Sequence, residues 1–390
     1  RLSWSFSSNR LTRLLEEKRR ADEEILDLTE SNPTRAGFDY PSDEILASLN
    51  DPRSLAYEPA PLGLPSAREA VAGYYARRGQ VVSSEHLALT ASTSEAYSFL
   101  FKVLCDPGDR VLLPRPSYPL FDYLASLESV ETDSYSLVYD GSWSIDLETI
   151  RSKLGPRTRV LLLVHPNNPT GSYVKRVELT ELTAMCREHD VALVVDEVFA
   201  DYGFGENLDR VSTFVGRNDV LTFVLSGLSK IAALPQMKLA WIWTGGPDDQ
   251  KRDALTRLEQ VGDVFLSVGA QVQHAAAKLL DLAPSLQTAI RRRLVENSQF
   301  LTSAIPTSSP LEALPTEGGW YAVLRCPEVQ SSEEWALAFL ASDDTHVHPG
   351  YLFDFPTDGR IVVSLLTPTK IFEQGIRRML SRVEATVAAI

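Results

Sequence analysis

At 390 residues, 44% hydrophobic and 23% charged, the chain has the composition of a soluble globular protein and enough length for two or more lobes. Its 38 Lys and Arg against 52 Asp and Glu leave a net charge of −14, which argues against a broad nucleic-acid or anionic-membrane surface. The three cysteines, Cys105, Cys186 and Cys326, are too widely spaced for a disulfide framework or a zinc site, and no apolar run nears the roughly 18 residues of a membrane span. The chain starts at Arg1 without a signal-peptide pattern, so a cytoplasmic protein with a trimmed start is expected.

Residues 10–26 carry leucines and isoleucine at helical spacing, and a proline-rich irregular stretch follows Ser31-Asn32-Pro33-Thr34. From about residue 66, short apolar or β-branched runs alternate with helical-period segments. The runs are Leu87–Ala91, Arg110–Pro114, Val130–Tyr135, Val160–His165, Val191–Asp196, Val220–Leu225 and Leu239–Thr244; the helical segments include 94–104, 118–127, 146–154 and 175–189. This pattern predicts an α/β fold, a three-layer doubly wound and mostly parallel sheet covered on both faces. A long helical region at 248–304 precedes a different tail, with strands at 320–325 and 360–366 and helices at 332–341 and 369–387. The expected organisation is an N-terminal segment of a small domain (1–45), a large domain (46–285) and a C-terminal small domain (286–390), the smaller α+β lobe being built from both chain ends.

Ligands of open α/β sheets bind beyond the carboxyl ends of the strands. Four runs end in groups with chemistry: Thr90-Ala91-Ser92-Thr93-Ser94, His165-Pro166-Asn167-Asn168-Pro169-Thr170-Gly171, Asp196-Glu197-Val198-Phe199 and Ser226-Gly227-Leu228-Ser229-Lys230. Each has an ordinary explanation taken singly: a turn, a helix cap, a surface lysine. Hydroxyls, an amide, a carboxylate and a lysine converging on one rim are harder to explain that way. His346 and His348 could share a strand face, but no third metal ligand lies near them in sequence, so no metal site is expected.

The ordered set HPNNPTG, DEVF, SGLSK and a second lysine at 238 resembles the class I/II aminotransferases of the fold-type I pyridoxal-phosphate enzymes. AYEPAPLGLPSAREAVAGYY (56–75), DPGDRVLLPRPSYP (106–119), EGGWYAVLR (317–325) and GRIVVSLLTP (359–368) extend the likeness over nearly the whole chain. The resemblance implies pyridoxal 5'-phosphate as cofactor, with Lys230 as its Schiff-base lysine and the proton carrier of catalysis. Asp196 then pairs with the pyridinium nitrogen, Asn168 donates to the ring hydroxyl, and Tyr118 stacks on the ring face. Ser92, Thr93, Ser94, Ser229 and Lys238 form the phosphate site, joined by Tyr57 from a neighbouring subunit, which implies a homodimer with shared active sites. Arg360 clamps the substrate carboxylate, and Asn32 is a further donor for it, with a turn role an equal alternative.

Three positions depart from the family pattern. Phe199 replaces a tyrosine that donates to the ring hydroxyl, leaving Asn168 alone unless Tyr202 substitutes. Lys238 replaces an arginine, which keeps the charge and loses the planar fork. Ser31-Asn32-Pro33 replaces a glycine-containing loop. The expected activity is transfer of an amino group from an L-amino acid to a 2-oxo acid. A carbon–sulfur β-lyase would use the same residues, and a non-catalytic effector domain would need a DNA-binding module that the chain does not show. No second arginine is placed by motif for an acidic side chain, Arg35 being the one candidate, so a neutral amino acid is favoured.

Overall fold

The computed structural model describes residues 9–390, so the first eight residues of the segment 1–45 lie outside the described residues. Its large sheet has eight strands in the order Leu87–Thr90, Ala240–Gly245, Thr222–Gly227, Ala192–Asp196, Thr158–Val164, Arg110–Arg115, Glu131–Tyr139 and Trp143–Ile145. Pairing is parallel from Thr222–Gly227 through to Glu131–Tyr139. Burial explains the apolar runs: along Ala192–Asp196, Leu193 and Val195 enter the core on one face, while Ala192 and Val194 enter the core on the other. A strand covered on both sides has no use for polar alternation.

Two strands run against the rest. Ala240–Gly245 is antiparallel to both of its neighbours, and Trp143–Ile145 folds back on Glu131–Tyr139 as a hairpin. The first reversal follows from the short connection after Gly227, which holds one turn of helix at Leu228–Ile231 and left-handed residues at Ala233 and Lys238. Such a link turns the chain back, where a parallel partner would need a full crossover. It also keeps the lysine segment tight against the sheet. The hairpin strand was not foreseen, being only three residues long.

The N-terminal helix is shorter than its periodicity predicts. It spans Arg10–Arg20 and stops before Asp22, whose φ is +56°. Leu26–Asp27 then pairs in parallel with Thr345–His346, drawing the start of the chain onto its tail. Within the proline-rich stretch a helix forms at Ser42–Ser48, and Pro65–Arg77 is helical with proline in its first turn, where the missing N–H costs nothing.

The second lobe has a four-stranded antiparallel sheet, Glu312–Ala313, Tyr321–Arg325, Arg360–Ser364 and His348–Pro349. Its core joins Leu11, Leu26, Leu28 and Ala36 from the N-terminal end to Trp335, Phe339, Phe372 and Ile376 from the tail. The helical region 248–304 divides into Asp248–Phe265 and Ala270–Ala304, broken by left-handed Leu266. The 35-residue second helix serves both cores: Val272, Ala276 and Leu279 pack in the first, Ile290, Leu294 and Leu301 in the second. The position 285/286 falls inside this helix, beside Pro284.

Gly375, in the helix Thr369–Ala388, lets the buried Leu28 lie directly on the helix, since a Cβ there would stand 2.4 Å from Leu28 Cδ1. Gly375→Ala is therefore expected to cost about 1–3 kcal/mol despite its gain in helix propensity. The check is a lower denaturant midpoint at unchanged m-value.

Candidate active site

The carboxyl ends of the strands bring the predicted groups together on one rim. Asp196 closes its strand, buried, and each carboxylate oxygen holds a hydrogen bond: Oδ1 accepts from the Val198 N–H at 3.0 Å and Oδ2 from the Tyr97 hydroxyl at 2.8 Å. Burial pushes this carboxyl above its usual range, while the two hydrogen bonds and the charge of Lys230 pull it back. Asp196 forms no salt bridge among the described residues.

Lys230 projects from the turn that follows Gly227. That glycine permits a close strand approach, because a Cβ would meet Ala240 Cβ at 2.8 Å and the Leu239 carbonyl at 3.0 Å. The ammonium lies 4.6 Å from the centroid of the Trp320 ring and 5.4 Å from that of Phe199. Desolvation lowers its pKa to about 8, against a smaller opposing effect from Asp196. Two aromatic faces attract the cation, yet removal from water outweighs them. An amine whose pKa is lowered to about 8 becomes a nucleophile at mildly basic pH.

The neighbouring asparagines differ. Asn167 is spent on its own loop: its Oδ1 accepts from the Thr170 N–H and hydroxyl, and its amide reaches the Pro116 carbonyl. Asn168 is buried, and its Oδ1 has no partner among the described residues. Ser92 caps the helix Thr93–Leu104 by accepting from the Glu95 N–H at 3.2 Å, and the N–H groups of Thr93 and Ser94 head that helix without intrahelical acceptors. Ser229 is partly buried.

Other predicted residues sit further out. Lys238 is exposed in a left-handed turn and makes no ion pair among the described residues. Tyr57 is 81% exposed beside a groove lined by Phe99 and His274, and Tyr118 is 43% exposed. Arg360 opens its strand next to Arg325, on the sheet face shared with Tyr321, and among the described residues its guanidinium bonds to the Asp358 carbonyl at 3.3 Å and forms no salt bridge. Burial and the charge of Arg325 lower its pKa, the direction expected of a cation lacking an anion. Asn32 accepts from the Thr34 N–H and hydroxyl at 3.1 and 2.8 Å, so the turn role is the one seen in this structure. Arg35 is exposed. His346 bonds to Asp27 at 3.2 Å in the small lobe.

Tyr202 does not stand in for the missing tyrosine. It is fully buried and donates to the backbone carbonyl of Lys230 at 2.7 Å, bracing the lysine turn from below. Tyr97, Trp320 and Tyr321 were not singled out from sequence. Tyr97 lies one helical turn beyond Thr93, a spacing that carries it to the same face, and Trp320-Tyr321 stand inside a quoted motif with no chemistry of their own to mark them. A surface groove of about 660 Å³ lies at the opposite, amino-terminal ends of the strands near Asp109, Ala192 and Leu221 and contains none of these groups.

A desolvated lysine, a buried carboxylate and the first turn of a helix stand together on the rim of a mostly parallel sheet, a fold of the aminotransferase kind. The sequence profile of the family "Aminotransferase class I and II" matches residues 23–374, and the chain belongs to that family. It is an aminotransferase, and the family generally depends on pyridoxal phosphate. Glutamate-pyruvate aminotransferase AlaA of Escherichia coli (strain K12) is 28% identical over 355 residues, covering 88% of this chain and 87% of the relative. Human tyrosine aminotransferase is 26% identical over 360 residues, covering 87% of this chain and 77% of that protein. Alanine aminotransferase from Pyrococcus furiosus superposes with a TM-score of 0.86 at 21% identity, covering 96% of each chain, a likeness of fold.

Two outcomes are expected from the electrostatics. Trapping of Lys230 by an aldehyde with borohydride, followed by mass spectrometry, should accelerate through about pH 8. In Asp196→Asn the midpoint should move down, because the anion that supports the ammonium is gone. Glu197, bonded to the Phe214 N–H and the Thr213 hydroxyl, is lifted by burial from 4.5 to about 7. Between those values the native state holds a proton that the unfolded chain has released, so this group's contribution to stability is full below 4.5 and lost as pH rises through 7. Denaturant midpoints across that window should fall in the wild type and flatten in Glu197→Gln.

Proposed function

We propose that this chain moves an amino group between a neutral L-amino acid and a 2-oxo acid, with pyridoxal 5'-phosphate anchored covalently on Lys230. The observation that carries the reading is the buried Asp196 carboxylate, without a salt bridge, on the same rim as a lysine whose amine is half-neutral near pH 8. The residues fit the cofactor: a buried anion suits a pyridinium N–H, the unpartnered Oδ1 of Asn168 can accept from a ring hydroxyl, and the free N–H groups of Thr93 and Ser94 suit a phosphate. When bound, the cofactor supplies an electron sink for the carbanion at the substrate Cα.

The residues divide the remaining work. Lys230, once freed, would take the proton from the substrate Cα as general base and deliver it to the cofactor carbon C4′ as general acid, which is the shift that net amino transfer requires. Asp196 holds the proton on the ring nitrogen, Asn168 orients the ring hydroxyl, and Tyr118 covers the ring face. Ser92, Thr93, Ser94, Ser229 and Lys238 hold the phosphate, with Tyr57 contributed by the second subunit of a homodimer; its high exposure in the single chain supports that reading. Arg360, lacking a protein carboxylate, grips the substrate carboxylate, with Asn32 beside it. A neutral side chain is favoured because Phe199 and Trp320 supply aromatic surface beside Lys230, with Tyr321 edge-on to Phe199, and Arg35 faces solvent. The relatives named for glutamate–pyruvate and tyrosine transfer bracket that choice. We further assign residues 1–45 and 286–390 to a small domain and 46–285 to the large one, and place the protein in the cytoplasm, where its three free cysteines stay reduced.

Mixing holoenzyme with single amino acids should bleach the visible band of the lysine-bound cofactor, and a 2-oxo acid should restore it. Alanine and aromatic amino acids are expected to bleach it faster than aspartate, and Lys230→Ala should lose turnover by several orders of magnitude. Steady release of pyruvate and ammonia from cysteine-like substrates, without an oxo-acid acceptor, would sink the reading. In Phe199→Tyr, the restored donor should lower the pKa of the visible band by about one unit; an unchanged or raised value counts against the site as drawn.

A further inference from the structure

Tyr97 sits in the helix Thr93–Leu104 that also heads the rim with its free N–H groups. Its ring is 3% exposed and packs edge-on against Phe121, 5.1 Å between centroids, with Phe101 at 6.2 Å. The hydroxyl is its one polar atom, and it is committed to Asp196 Oδ2 at 2.8 Å. With the Val198 N–H on Oδ1, the carboxylate is held at both ends and cannot turn about its last torsion without breaking a bond.

Resting on the site reading above, we propose that Tyr97 is a positioning residue for amino transfer: its hydroxyl fixes the plane of the Asp196 carboxylate and holds a permanent donor against it, so that the remaining lone pairs face the ring N–H of the cofactor. A carboxylate oxygen accepts more than one hydrogen bond, so the bond to Tyr97 leaves Oδ2 room for another donor. The donor is durable. Burial and the adjacent anion push the Tyr97 phenol far above its ordinary range, so the proton stays on the tyrosine.

The groups that face Asp196 are few. From the helix there is Tyr97, from the turn after Thr222–Gly227 there is Lys230, and on its own strand end there is Glu197. Glu197 is directed away, to Thr213 and Phe214. Lys230 would give up its free ammonium on holding the cofactor, so the support that this ammonium lends the anion in the free protein is not a fixed part of the site. Tyr97 is then the side-chain donor that remains. A buried carboxylate that loses such a donor becomes a stronger base and a looser acceptor.

The test is a double-mutant cycle on apoenzyme: wild type, Tyr97→Phe, Asp196→Asn and the double variant, titrated with pyridoxal 5'-phosphate between pH 6 and 9. Tyr97→Phe keeps the ring contacts, and circular dichroism verifies the fold. Tyr97→Phe should weaken cofactor binding about tenfold at the acid end and move the acid limb of affinity upward by about one pH unit. In the Asp196→Asn background the same change should cost less than about twofold, since there is no anion left to act on. Equal losses in both backgrounds would mean that Tyr97 only packs, and no loss in the wild-type background would mean that it does nothing; either overturns the inference alone. Failure of the wild type to form a visible band overturns the site reading and this inference with it.

Discussion

A carboxylate taken out of water must be compensated, and much of this molecule is arranged around how Asp196 is. The residue sits where the strand Ala192–Asp196 ends, between two hydrophobic faces that make the strand itself possible. Two hydrogen bonds and a distant ammonium compensate it in part, and no guanidinium or lysine closes on it. Full pairing within the protein would stabilise the fold and abolish the site. Under the proposed function, the residual deficit is what a cationic ring nitrogen would satisfy, so binding energy for the cofactor would be set aside in the folding of the strand.

Lys230 shows the complementary choice. Its turn is tied down by the Tyr202 hydroxyl below and by the close approach of Gly227 to Ala240, while the amine is left between aromatic faces. Rigid backbone and loosely held side chain are a useful division. Under the proposed function the backbone of the anchor would stay in place while the amine is free to engage the cofactor and release it. A salt bridge to the amine would serve stability and hinder that exchange.

The sheet, the second lobe from both chain ends and the rim of functional groups were legible in the sequence because each has a local signature. Buried parallel strands are apolar runs, and the chemistry follows their ends. Less local features were not legible. The reversal at Ala240–Gly245 depends on left-handed residues at Ala233 and Lys238, neither of them glycine, so no turn signal marked them. Tyr202 reads as a hydroxyl near Phe199, and only the fold reveals that a backbone carbonyl has claimed it. Tyr97 reads as one aromatic among several in an amphipathic helix until Asp196 is seen across the gap. Exposure of Tyr57 and Lys238 is likewise a property of a single chain's surface that spacing cannot state.

The helix Ala270–Ala304 packs into both cores. A helix is stiff because each turn is laced to the next, and Pro284 omits one lace: it has no N–H for the carbonyl four residues earlier. The omission falls where the helix passes from one core to the other. As a beam between the lobes, it therefore has its weakest cross-section midway along its span, and Gln287, three residues on, ties that section to the Ile231 carbonyl at 2.9 Å, so a bending load from either lobe bears on the turn that carries Lys230.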